Sequence, residues 1–152
     1  MKKSKRPSGS ISNRRARHDY ALDDSLVVGI ELTGREAKAL RMGQGNLQGA
    51  YVTIKDDELM LVNATIAGRG NLQMSESEQI RTRKLLAKRK EINDLAAAKQ
   101  QGKTIVPIEI LNKGRFIKLR IAAGRGQKRY DKRRALKERD AARDISRAHR
   151  PR

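Results

Sequence analysis

The sequence predicts an α+β fold that is mostly β: a small, partly open barrel of the oligonucleotide-binding type with inserted helices, followed by a basic C-terminal tail that is disordered when free. Two observations predict it. Five short apolar or β-branched runs are separated by capping and turn signals, and the two ends of the 152-residue chain are cationic while the middle is nearly neutral.

The first run, Leu26-Val27-Val28-Gly29-Ile30-Glu31-Leu32, reads as a buried strand. Thr33 follows with Glu36 three residues on, a capping box in which each side chain satisfies the other end's orphan amide, so a short helix should run to about Met42. Gly43, Gly45 and Gly49 break that helix. Residues 50–54 and 58–66, on either side of Lys55-Asp56-Asp57, then read as a hairpin. Ser75-x-x-Glu78 is a second capping box, and it is expected to open one long helical stretch through Ile80, Leu85, Leu86, Ile92 and Leu95 that closes near Gly102. The last two strands, 104–111 and 115–122, flank Asn112-Lys113-Gly114, which suits a tight turn. Pro107 cannot donate to a ladder and favours an edge position or a bulge.

The charge divides the chain into an extension (1–12), a body (13–124) and a tail (125–152). Lysine and arginine number 36 against 17 acids, and fifteen of the nineteen net positive charges fall in residues 1–18 and 125–152. A field of that sign favours a polyanion, with nucleic acid the leading candidate. No apolar run is long enough to span a bilayer, and the basic start leads into Pro7-Ser8-Gly9-Ser10 rather than an apolar segment, so a cytoplasmic protein without a membrane partner is expected. Cysteine is absent, which removes disulfides, thiolate metal sites and thiol nucleophiles.

Catalysis has little to work with, and no enzyme activity, metal or cofactor is expected. The two histidines, His18 and His149, lie in basic terminal segments away from any carboxylate cluster. Asp56-Asp57-Glu58 is better explained as turn chemistry than as a magnesium site. Gly68-Arg69-Gly70 and Gly124-Arg125-Gly126 complete no phosphate-cradling motif and read as flexible linkage. One phenylalanine and three tyrosines are too few for base stacking to be the main mode of RNA binding, which leaves phosphates, sugars and shape. In the tail, Leu136, Ala141, Ile145 and Ala148 form an apolar set too sparse to hold a helix. Arg134 and Glu138 attract at helical spacing while Arg139 and Arg143 repel, so folding upon an anionic groove is the natural expectation.

Four blocks in order, Asn13-Arg14-Arg15-Ala16-Arg17-His18-Asp19-Tyr20, the run from Gly29 to Arg41, Arg81-Thr82-Arg83-Lys84-Leu85-Leu86, and Tyr130-Asp131-Lys132-Arg133, resemble the signature of the SsrA-binding protein (small protein B) family. The resemblance spans about Asn13 to Arg150. It implies a barrel that binds the tRNA-like domain of transfer-messenger RNA and accompanies it, with elongation factor Tu in the alanyl-RNA delivery complex, into ribosomes stalled without a stop codon. The RNA-binding residues it implies are Asn13, Arg14, Arg15, Arg17, His18, Glu31, Glu36, Lys38, Arg41, Arg81, Arg83, Lys84 and Leu85. For the tail it implies ribosome contacts at the decoding centre and in the empty mRNA channel through Gly126, Tyr130, Asp131, Lys132, Arg133, Lys137, Arg139 and Ile145, made by a monomer.

The chain departs from the family pattern in the loop 67–77, which lacks an aromatic and histidine-bearing run, at Ala21, and at Arg134-Ala135. Two other classes compete. A constitutive ribosomal protein would share the charge but sediment with all ribosomes, and an RNA-processing enzyme would need an acid, base or metal constellation that the sequence does not offer.

Overall fold

A computed structural model describes residues 10–127 and 129–148. Ten strands and five helices follow in the order β1 (Ile11–Ser12), α1 (Arg14–Asp19), β2 (Tyr20–Leu22), β3 (Leu26–Ile30), α2 (Gly34–Arg41), β4 (Gly45–Asn46), β5 (Tyr51–Lys55), β6 (Glu58–Val62), β7 (Thr65–Ile66), α3 (Glu76–Gln79), β8 (Arg83–Leu86), α4 (Arg89–Gln100), β9 (Thr104–Leu111), β10 (Lys118–Gly126) and α5 (Arg129–Ala148). β9, β5, β6, β8, β3 and β10 are hydrogen-bonded in that order, and the pairing of β9 with β10 closes them into a six-stranded antiparallel barrel. β1 and β2 are added along β9 and β10, while β4 and β7 form a separate two-stranded ribbon.

Alternation along each strand sends one face inward. Leu59 and Leu61 of β6, Val28 of β3, Ile105 of β9, and Leu119 and Ile121 of β10 meet in the buried core. The β5–β6 hairpin turns on Asp56 (φ 50°) and Asp57 (φ 62°), successive left-handed residues whose twist matches the flanking strands. These aspartates make the turn, as their composition suggested.

Pro107 sits at a bulge. Arg120 lies opposite Glu109, but the next residue, Ile121, lies opposite Pro107, so Ile108 is the extra residue. The carbonyls there do not go unused: the Asn13 amide donates to Ile108 O (2.7 Å) and its side-chain Nδ2 to Pro107 O (3.0 Å).

Three sequence expectations are corrected. The Ser75 capping box forms, but α3 is a single turn, and residues 83–86 are a barrel strand between β6 and β3. Arg83 is the reason: it occupies an inward position where alternation calls for an apolar residue, so the strand period is hidden. Gly124-Arg125-Gly126 continues β10 past the expected strand end and pairs with β2. A Cβ at Gly124 would stand 2.8 Å from the Ala21 carbonyl oxygen, so the glycine allows close strand approach rather than flexibility. Finally, the β9–β10 connection is a six-residue loop, 112–117, not a tight turn.

Candidate RNA interface

The residues singled out from sequence gather into a short arginine-bearing helix, a framework around α2, and the tail. Helix α1 begins at Asn13, whose Oδ1 accepts from the Ala16 amide (3.2 Å) while its amide side chain is fastened to Leu47 O (3.1 Å) and Pro107 O. Asn13 is buried, so it acts by anchoring α1 to the barrel. Ala16 packs inward, which turns Arg14, Arg15, Arg17 and His18 to solvent. Arg15 pairs with Asp19 (3.4 Å), and His18 Nδ1 lies 3.2 Å from the same carboxylate. Arg14 and Arg17 have no hydrogen-bond or ion-pair partner among the described residues and are available to an anion.

Around α2 the picture differs. Glu36 is 2% exposed and Arg83 is fully buried. Glu36 accepts from Arg81 Nε (2.8 Å) through one carboxylate oxygen and from Arg83 Nε through the other, while closing the capping box with the Thr33 amide (3.2 Å). Arg83 donates onward to the carbonyls of Ala64 (2.9 Å), Arg81 (3.0 Å), Glu78 (3.1 Å) and Gln79 (3.0 Å). Burial alone would push the Glu36 carboxyl up, but the hydrogen bonds from Arg83 and Arg81, with the Thr33 amide, more than offset it and hold the group below the usual carboxylate range. Burial also lowers Arg83, and Glu36 opposes that shift.

The residues implied by the resemblance differ in how far they are exposed. Glu36, Arg83, Leu85 and Asn13 are buried, and their contacts hold α2, β8 and α1 in place. It is Leu86, not Leu85, that faces outward, 50% exposed. Arg41 is exposed but committed: its guanidinium donates to the carbonyls of Asn112 (3.3 Å), Gly114 (3.1 Å) and Arg115 (2.8 Å). Lys84 pairs with Glu58 (2.8 Å), whose carboxylate raises the lysine's pKa. Glu31 and Lys38 are exposed, and the Glu31 amide donates to Lys84 O (2.9 Å), which sets the β3–β8 register beside α2.

In the tail, Gly126 ends β10, and the Gln127 amide donates to Asp19 O (2.7 Å), so α5 starts beside α1. Every described side chain of α5 is exposed, including Arg133, Lys137, Arg139 and Ile145. Tyr130, Asp131 and Lys132 belong to α5, and their side chains fall outside the described residues, as does His149. Helix α5 therefore forms over Arg129–Ala148 although all its described side chains are exposed, and Leu136 and Arg139 border a groove shared with Arg17 and His18 of α1. Among the described residues no helix is long and apolar enough to cross a membrane.

A family model described as SmpB protein matches residues 10–151. The chain belongs to the SmpB family. It is 42% identical over 148 residues to the SsrA-binding protein of Chloroflexus aurantiacus, covering 96% of this chain and 92% of that one. The SsrA-binding protein of Staphylococcus epidermidis is 40% identical over 148 residues (97% and 95%), and that of Trichormus variabilis 44% over 138 (90% and 89%). A chain in a solved structure described as "tmRNA-SmpB: a journey to the center of the bacterial ribosome" superposes with a TM-score of 0.65 at 34% identity, covering 84% of this chain and 94% of that chain. The matched span takes in the barrel, the arginine helix α1 and α5, so the SmpB assignment rests on the body and the tail together.

Sequence reasoning did not place one exposed aromatic residue. Phe116 is 70% exposed on the 112–117 loop, beside Leu86 and Lys118. The available signal was a lone aromatic residue within the cationic run Lys113-Gly114-Arg115-Phe116-Ile117-Lys118.

Proposed function

We propose that this SmpB-family chain binds the tRNA-like domain of transfer-messenger RNA through its barrel, travels with it and elongation factor Tu to a stalled ribosome, and inserts its tail into the vacant decoding centre and mRNA channel. No step is catalytic. The observation that carries the reading is the separation of two cationic devices: free arginines on α1, fixed rigidly to the body, and a tail helix whose described side chains all remain in solvent. At 1.5 Å per residue, the 20 residues of α5 extend about 30 Å, enough to occupy a groove away from the barrel. The body grips a folded RNA by its phosphates and shape, and the tail gains its order from a second anionic surface.

Identifying the RNA that co-purifies with the full chain, and repeating this after deletion of Tyr130 to Arg152, tests the division of labour. Transfer-messenger RNA should remain bound to the truncated chain while tagging of peptides on stalled ribosomes is lost. A truncated chain that no longer binds that RNA would show that the tail, not the body, holds it.

A further inference from the structure

Phe116 is the chain's single phenylalanine, yet it faces solvent while its neighbour Ile117 is buried. Exposing a ring of that size forfeits burial worth having, so its position calls for an explanation. The loop that carries it is not slack. Arg41 of α2 donates to the carbonyls of Asn112, Gly114 and Arg115, and the Asn112 side chain donates to Leu40 O (2.6 Å), so four hydrogen bonds between the loop and one helix hold the loop's shape. The ring is thus presented in place rather than left to collapse onto the barrel.

Its surroundings specify what it could receive. The ring borders two open grooves: one of about 380 Å³ beside Leu32, Ala37 and Leu86, and one of about 440 Å³ beside Leu111 and Lys113. Lys118 lines both, and the Arg115 guanidinium lies 5.5 Å from the ring centroid. The one carboxylate lining either groove, Glu109, is paired with Arg120 (3.3 Å). A flat apolar face flanked by cations is complementary to a nucleotide, which offers a π-face for the ring and a phosphate for the ammonium and guanidinium groups. The same cations, in a chain of net charge +19, disfavour a basic protein segment.

We propose that Phe116, held on the Arg41-braced loop and flanked by Arg115 and Lys118, is a stacking platform for one unpaired base of the bound RNA. The proposal rests on the RNA-binding reading and adds to it a single point of base contact on an otherwise shape-reading surface.

The chain contains no tryptophan, so Phe116→Trp installs a sole indole at the site. The full-length variant is titrated with the tRNA-like domain RNA. Its emission should be quenched while affinity is retained. Phe116→Ala should bind the same RNA about 5- to 150-fold more weakly, with the slope of log K against log salt unchanged, because a stack and not a phosphate contact is lost. Its melting temperature should match the wild type, since the ring is exposed. Wild-type RNA affinity in Phe116→Ala, or indole emission unmoved at saturating RNA, overturns the stack. So does wild-type RNA affinity combined with weakened ribosome association, which would mark the ring as a protein-docking face. A wild-type chain that fails to bind this RNA refutes the parent reading as well, so the two failures are distinguishable.

Discussion

Replacing Glu36 by glutamine removes one negative charge and little volume from the most enclosed part of the fold. Arg83, fully buried, then loses its counter-charge, and with the glutamine oxygen kept where it serves Thr33 and Arg81, Arg83 Nε loses its acceptor to the amide NH2. Stripping one partner from a buried ion pair costs about 3–5 kcal/mol, because the other charge stays desolvated. The structure places this case near the lower bound. Four main-chain carbonyls still surround the Arg83 guanidinium, and a glutamine oxygen can still accept from the Thr33 amide. A loss of about 3 kcal/mol in a domain of this size corresponds to a fall in Tm of about 12 °C. Circular-dichroism melting of the full chain at neutral pH measures it. The fall should persist in high salt, because a buried pair is screened little. Lys84→Gln, which breaks the exposed Lys84–Glu58 pair, is the control: its smaller effect should fade with salt. At temperatures where Glu36→Gln is folded, its RNA affinity should stay near wild type, since the carboxylate does not reach the surface. A Tm fall of less than about 4 °C would refute the buried-pair argument. Weakened RNA binding by the folded variant would show that the carboxylate also supports the RNA-binding surface.

The same carboxylate sets an acid limit. Because Glu36 titrates below its ordinary 4.5 in the folded chain, its stabilising contribution is complete above that value and is lost as pH falls through the folded pKa. Tm measured against pH should therefore drop more steeply for wild type than for Glu36→Gln below about pH 4.5, so that the two curves converge; parallel curves would show that Glu36 is not the group responsible. On α1, Arg14→Gln and Arg17→Gln should each lower the slope of log K against log salt by about 0.7–0.9 for the RNA complex, with no change in Tm. Unchanged slopes in both variants would remove α1 from the phosphate-binding surface.

How far the fold could be read from sequence depended on where each segment finds its partners. Thr33 and Glu36, three residues apart, declare the start of α2, and Asp56-Asp57 declares the hairpin turn, because capping and turn geometry are local. Strand β9 was readable to the residue, since its β-branched residues Thr104, Ile105, Val106, Ile108 and Ile110 are a local signal. Strand β8 was not, because its inward Arg83 makes sense only once Glu36, 47 residues away, is packed against it. For the same reason the burial of Glu36, Arg83 and Leu85 could not be read from the signature blocks that name them.

Composition and local pattern by themselves determined the fold class, the two cationic ends and the expectation of an RNA partner, for each depends on residue type or on neighbours within a turn. Tertiary structure decided which charges are available. Arg41, Arg81 and Arg83 are as cationic in sequence as Arg14 and Arg17, but folding commits the first three to carbonyls and a carboxylate and leaves the last two in solvent. Availability is a matter of burial and pairing, and both arise from contacts between segments far apart in the chain.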